Sequence, residues 1–349
     1  MSAIKVNADY ESVLVDSKKG LPLVNEAIEF LAFWVQEKKV FTHKKYSETY
    51  FDYIESVRGV CPQTTKDGPY ENWWGSLKDL ELERKLNSKF LSATLNLIEG
   101  WAPDTHIVSH SNELPPLSKA YLVKNDLGMS GRGFSLLSPG DSREFKERVI
   151  IEPLLKREDD FSFYVFPNGE KIAYENFVDQ KYQYRGTLFT DYTNPIVNAF
   201  RFYDEIPSQE WDKYQQAIER TIKFYRKEGA TGGFSIDSFS YEGKIKFLSE
   251  VNYRRTMGAT AFELALKLGG RRKWGLFLMT KNLGKDFKAL IEIIQPLTWS
   301  ENCDSGVVLL SPGDTRYDMF YLSALNEELG RELLKNLELL LHTELSVLI

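Results

Sequence analysis

The run Gly232–Gly258, GGFSIDSFSYEGKIKFLSEVNYRRTMG, constrains this 349-residue chain more than any other stretch. Two β-like segments, 233–240 and 244–253, flank Tyr241-Glu242-Gly243, and an Xaa-Gly pair between such segments predicts an antiparallel hairpin. Side chains alternate along a strand, so Glu250, Asn252 and Arg254 share one face while Ser249, Val251 and Tyr253 take the other. A two-residue turn centred on Glu242-Gly243 sets Asp237 opposite Leu248 and diagonal to Glu250, again on that face. Two carboxylates and an amide oxygen converge there.

Like charges packed on one strand face repel unless a cation neutralises them. A single Asp or Glu on a hairpin is ordinarily a solvated charge; the cluster, with Arg254 and Arg255 directly after it, is not ordinary. Carboxylate and carbonyl oxygens suit Mg²⁺, with Mn²⁺ as an alternative, and Mg²⁺ commonly bridges protein carboxylates to substrate phosphates. Asp237, Glu250 and Asn252 are the candidate metal ligands.

The order Asp237…Glu250-Val-Asn252-Tyr-Arg254 resembles the metal-binding end of the ATP-grasp superfamily of carboxylate–amine ligases. The resemblance implies an α+β chain in which two α+β lobes sandwich ATP behind an N-terminal pre-ATP-grasp-like domain. It also implies a phosphate loop and an adenine-side hinge upstream. Ala120–Leu137, AYLVKNDLGMSGRGFSLL, reads as a strand ending in Lys124, a glycine-rich turn and a second strand. Glycines let backbone N–H groups approach phosphate oxygens closely, which makes Gly128, Ser130, Gly131 and Gly133 nucleotide-binding candidates. The loop is not GxxxxGK[ST], and β-like FSLL follows it, so both a P-loop and a dinucleotide fingerprint are disfavoured. Lys124 matches the phosphate-contacting lysine of the superfamily.

Arg148–Pro153, RVIIEP, has the composition of a buried strand. By the resemblance, Glu152 and the Leu154–Leu155 backbone lie on the adenine side and Asp160 near the ribose, with Asp159 an equally good neighbour. Lys89, at the start of a helical pattern within Asn87–Val108, matches the first nucleotide lysine of the family. Arg254 and Arg255 would orient a carboxylate or stabilise charge on a transferred phosphoryl group. One departure is Ser235, where some peptide-forming members carry a substrate arginine. The other is the N-terminal portion, which shows no evident βαβ opening.

The resemblance spans about 85–266 and divides the chain into an N-terminal domain (1–84), a small lobe with the glycine-rich loop (85–147), and a large lobe with the metal site and a C-terminal extension (148–349). Helices are expected around Leu23–Gln36, Ser47–Val57 and Ser208–Glu228, and over an amphipathic, Leu-rich tail from Leu322 to Leu341.

Cys61 and Cys303 stand far apart with no CxxC, and four scattered histidines give no zinc pattern. A net charge of −6 argues against a nucleic-acid partner. The absence of a long apolar run or a basic-then-apolar start points away from membranes and towards the cytoplasm. The expected function is an ATP-dependent, ADP-forming ligase acting through an acyl phosphate, with a small-molecule carboxylate and amine as partners, amino acids or peptides among them. A kinase on the same scaffold and a non-catalytic nucleotide binder stay open, as does a homodimer.

Overall fold

The computed structural model describes residues 2–16, 21–110, 119–128, 134–141, 144–180, 183–194 and 200–345. It opens with β1 (Ala3–Lys5), α1 (Tyr10–Val15), α2 (Pro22–Glu26), α3 (Leu31–Val35), β2 (Val40–Phe41), α4 (Glu48–Arg58), β3 (Thr64–Thr65) and β4 (Tyr70–Asn72). The four strands form a parallel sheet in the order β3-β2-β1-β4. A parallel opening is therefore present where the sequence showed none, because strands of two or three residues are too short for alternation to register. The single helix expected around Leu23–Gln36 is instead two, α2 and α3. The chain bends at Glu29, whose buried carboxylate accepts from the His43 backbone (3.1 Å) and the Tyr46 hydroxyl (2.9 Å). Helix α4 conforms to its signals: Ser47 caps it through the Tyr50 N–H, and Gly59 ends it at φ 70°.

Next come α5 (Leu80–Leu86), α6 (Lys89–Ile98), β5 (His106–Val108), β6 (Tyr121–Lys124), β7 (Phe134–Leu137) and β8 (Val149–Pro153). The strands pair antiparallel in the order β5-β8-β6-β7. Strand β8 is internal to this sheet, which explains its continuous apolar run, and it carries the small sheet past the boundary read at residue 147.

The remaining elements are β9 (Asp160–Val165), β10 (Lys171–Val178), β11 (Tyr184–Phe189), α7 (Ser208–Lys227), β12 (Phe234–Tyr241), β13 (Lys244–Asn252), α8 (Met257–Leu268), β14 (Trp274–Lys281), α9 (Phe287–Ile294), β15 (Ser305–Leu309), β16 (Tyr317–Ala324) and α10 (Glu327–Leu341). Their strands build one antiparallel eight-stranded sheet, β13-β12-β9-β10-β11-β14-β16-β15. The expected tail helix from Leu322 starts later, since Leu322 lies in β16 paired with Leu276 and Val307. Asn326 then caps α10 through the Leu329 N–H.

Three apolar cores hold these layers. One joins the N-terminal unit to α8 and the far half of the large sheet, with Phe30, Trp34, Leu264, Phe277 and Tyr321 fully buried. The second lies under α7, whose Trp211, Tyr214, Ile218 and Tyr225 recur at helical spacing and pack on Phe234, Ile236 and Val251. The third fills the small sheet. Strand β13 is thus an edge strand covered by α6 and α7, and the site face of the hairpin is left to the polar residues.

Candidate active site

Glu242 and Gly243 link β12 to β13 at φ 48° and 69°, the left-handed pair that a tight two-residue hairpin requires. From that turn the ladder runs regularly to Phe239↔Lys246 and then slips: Asp237 pairs with Glu250, not with Leu248. Leu248 is fully buried in the core with Ile236 and Val251. A bulge on β13 is responsible, because it lets the apolar Leu248 turn inward while Lys246 and Glu250 stay on the site face. Carbonyls of the bulge are satisfied by side chains: Asn96 Nδ2 donates to the Leu248 oxygen (3.0 Å) and Ser238 Oγ to the Phe247 oxygen (2.8 Å).

The two acids are thereby directly opposed. Asp237 accepts from Ser162 Oγ (2.8 Å), Ser235 Oγ (2.6 Å) and Asn252 Nδ2 (2.6 Å). Burial, followed by the charge of Glu250, pushes the Asp237 carboxyl up to about 6 despite these donors. Burial works on Glu250 in the same sense, but the Lys89 and Lys124 ammonium groups outweigh it and hold that carboxyl at about 2. Asp237 is therefore the member of the pair that takes up a proton first. The Asn252 amide turns its nitrogen to Asp237 and its oxygen to Arg254 Nη2 (3.0 Å), so coordination through that oxygen requires the amide to rotate.

Two lysines face this hairpin. Lys89, at the first turn of α6, reaches Glu250 Oε2 (3.1 Å) and the Gly128 carbonyl (2.9 Å). Lys124, at the end of β6, pairs with Glu152 Oε2 (2.9 Å), and Lys246 stands 3.9 Å from the same oxygen. Lys89, Lys124, Glu152 and Lys246 are buried, Glu250 is partly exposed and Gly128 is exposed. Burial raises the Glu152 carboxyl, yet Lys124 and Lys246 more than reverse that and hold it low. The Glu152 carboxylate thus answers two ammonium groups. Lys89, Gly128, Glu250 and Asn252 line one small pocket, which Glu11 and Asn87 complete.

On the hinge side, the Leu154 N–H donates to the Ala120 carbonyl (2.9 Å), and the Leu154 carbonyl and Leu155 backbone make no backbone hydrogen bond among the described residues. Asp160 begins β9 paired with Arg157 (2.9 Å); burial raises its carboxyl against that partner. Asp159 accepts from Ser240 Oγ (2.8 Å). Ser130, Gly131 and Gly133 lie outside the described residues.

Arg254 and Arg255 follow β13 and precede α8, whose first turn is capped by Thr256. Arg254 Nε meets Glu11 Oε1 at 2.5 Å and its guanidinium lies 5.7 Å from the Trp74 ring. Arg255 pairs with Glu263 (2.6 Å) over Trp73, and its N–H donates to the Trp74 carbonyl (2.7 Å). Glu11, Asn87 and the two tryptophans therefore join the site from the N-terminal side. Sequence reasoning missed Glu11 and Asn87 because no local pattern marks them.

No protein-family model and no curated protein sequence matches the chain. Solved structures do match its fold. One is an ADP complex of PurK, an N5-carboxyaminoimidazole ribonucleotide synthetase, at 14% identity and a TM-score of 0.50, covering 98% of this chain and 96% of that one. The Aspergillus clavatus N5-carboxyaminoimidazole synthase, in complex with ADP and 5-aminoimidazole ribonucleotide, matches at 11% identity and a TM-score of 0.52 over 91% of this chain and 96% of its own. A Staphylococcus aureus N5-carboxyaminoimidazole synthetase matches at 10% identity and a TM-score of 0.52 over 98% and 100%. The chain has the ATP-grasp fold over nearly its whole length.

Proposed function

We propose that the protein is an ATP-dependent, ADP-forming ligase that joins a small-molecule carboxylate to an amine. The observation that carries this reading is the direct opposition of Asp237 and Glu250, with Lys89 tying Glu250 to the Gly128 carbonyl. Two partly buried acids facing each other repel unless a cation lies between them, and the donors here are all oxygen, which fits Mg²⁺. Among the described residues no group of three or more His, Cys, Asp or Glu side chains could hold a metal alone. Asp237, Glu250 and a rotated Asn252 would therefore hold the ion together with phosphate oxygens and water. Bound there, the ion supplies charge neutralisation to the triphosphate.

The chain's own groups do the positioning. Lys89 and Lys124 would bind phosphate oxygens, each leaving a carboxylate partner to do so. Gly128, with Ser130, Gly131 and Gly133, would cover the phosphates; Glu152, the Leu154–Leu155 backbone and Asp160 would take the nucleoside. Arg254 and Arg255 would orient the substrate carboxylate. It attacks the γ-phosphorus to give an acyl phosphate and ADP, and the amine then displaces phosphate. ADP in the PurK and Aspergillus complexes supports a nucleotide at this fold's site.

The test is to incubate the protein with Mg-ATP and pools of carboxylates, bicarbonate and amino acids included, with and without amines, 5-aminoimidazole ribonucleotide among them. ADP, free phosphate and a product equal to acid plus amine minus water are expected. AMP with pyrophosphate would overturn the mechanism, and a phosphorylated product without free phosphate would make the protein a kinase.

A further inference from the structure

The N-terminal helix α1 brings to the site one group to which the proposed nucleotide binding assigns no part. Glu11 Oε1 forms an ion pair with Arg254 Nε, while Glu11 Oε2 is buried and, like that Nε, has no hydrogen-bond partner among the described residues. A carboxylate oxygen shielded from water without a donor costs roughly 1–3 kcal/mol, a cost that a donor from outside the chain would relieve. Glu11 lines the pocket that Lys89, Asn87, Glu250 and Asn252 share, with Leu14 as an apolar wall.

Its position is fixed from several sides. The buried Tyr10 hydroxyl donates to Glu83, and Arg84 Nε donates to the Leu14 carbonyl (2.7 Å), which ties α1 to α5. Asn87 then donates to the Tyr10 hydroxyl (3.0 Å) and accepts from the Tyr253 N–H (2.9 Å), which ties both to the end of β13. Glu11 is thus rigidly set against the strand that carries Glu250 and Asn252.

We propose that Glu11 Oε2 docks the amino group of the substrate. The inference rests on the ligase reading and names the half of the substrate pair that this pocket takes. A carboxylate accepts several hydrogen bonds, so the Arg254 contact leaves Oε2 open to an N–H donor, and the negative charge on Oε2 disfavours a carboxylate at that oxygen. An amine held there lies in the same pocket as Lys89 and Glu250, beside the phosphate-facing groups. Sharing Glu11 with the Arg254 guanidinium makes the carboxylate a poor ligand for a second metal ion but leaves it a good acceptor.

The test uses the full chain and methylammonium chloride as the probe, with tetramethylammonium chloride and magnesium chloride at matched ionic strength. The readout is the part of the fluorescence that Trp74→Phe removes, since Trp74 stacks on the Arg254 that holds Glu11. Wild type should give a saturable methylammonium response that tetramethylammonium does not reproduce. Glu11→Gln should weaken it at least tenfold, and Glu11→Asp, which keeps the charge for Arg254, should fall between. No saturation in wild type, or equal responses in wild type and Glu11→Gln, would overturn the proposal. A response to magnesium alone that Glu11→Gln abolishes would also overturn it, by assigning Glu11 to the cation. Calorimetry of Mg-ATP binding to the same proteins keeps the two readings apart. Nucleotide binding retained by Glu11→Gln with methylammonium binding lost supports docking, whereas wild type that binds methylammonium but no Mg-ATP sinks the ligase reading alone.

Discussion

The metal hairpin and the N-terminal unit contribute to one site by opposite routes. On β12 and β13, strand alternation and one ladder place Ser235, Asp237, Glu250 and Asn252, so neighbours in sequence are neighbours in space. In the N-terminal unit, strands of two or three residues hold little by themselves. Long-range polar contacts do the placing: Asn7 Oδ1 accepts from the Trp74 N–H (2.9 Å), Tyr10 donates to Glu83, and Arg84 reaches Leu14. A site face built on a ladder tolerates loss of a side chain, whereas one built on scattered hydrogen bonds moves when a bond is lost.

The largest effect that would separate the two regions is on turnover. Glu250→Gln keeps the shape of the ladder and removes a ligand charge, so ATP turnover should fall by about 10²-fold or more with the fold unchanged by circular dichroism. Normal turnover with normal magnesium dependence would break the assignment. Lys124→Ala removes the close partner of Glu152 and leaves Lys246 at 3.9 Å, and should cost about 3–5 kcal/mol in urea unfolding. Adding Glu152→Gln should recover much of it; additive losses would mean that the pair is not coupled.

On the N-terminal side, Asn7→Ala leaves the Trp74 and Gly75 backbone groups without their partner, and should cost about 2 kcal/mol. It should also disturb Trp74 fluorescence while nucleotide affinity holds. A matching loss of nucleotide affinity would show that the two regions are not separable.

The titration of Asp237 gives a signed prediction of similar size. A carboxyl raised from 3.8 to about 6 binds its proton more tightly when folded. Its stabilising contribution is complete below the unfolded value and is lost as pH rises through about 6. Without magnesium, Asp237→Asn should therefore be more stable than wild type by about 2 kcal/mol at pH 7, with no advantage at pH 4. A constant difference across that range would remove the burial argument. Smallest is the turn: Gly243 sits at φ 69° with open space around a would-be Cβ, so Gly243→Ala should cost only about 1 kcal/mol of backbone strain and leave turnover intact.

What was legible in the chain follows the same division. The hairpin, its Glu242-Gly243 turn, the strand–loop–strand around Lys124 and the helix over Ser208–Lys227 all carry local periodicity or turn chemistry, and each lies where the pattern put it. The pairing of Asp237 was misread because a bulge leaves no mark on an alternating run; only the buried Leu248 hints at it. Glu11 and Asn87 were invisible for a different reason. Asn87 reaches a partner 166 residues away, and no spacing rule spans that distance. The parallel N-terminal sheet was hidden by the brevity of its strands, and the split at Glu29 by an apolar run that looks continuous until His43 and Tyr46 draw that carboxylate inward.

The bulge on β13 also fixes how this hairpin can change length. It offsets the ladder by an even number of residues, Phe239↔Lys246 on one side and Asp237↔Glu250 on the other, so the inside and outside of the strand keep their phase across it. Deleting two residues between Lys246 and Glu250 would shorten the strand yet still present an acid to Asp237. Deleting one would exchange Glu250 with Val251, sending a charge into the core and a valine into the site. Insertions and deletions in this segment should therefore be tolerated in pairs and fatal singly.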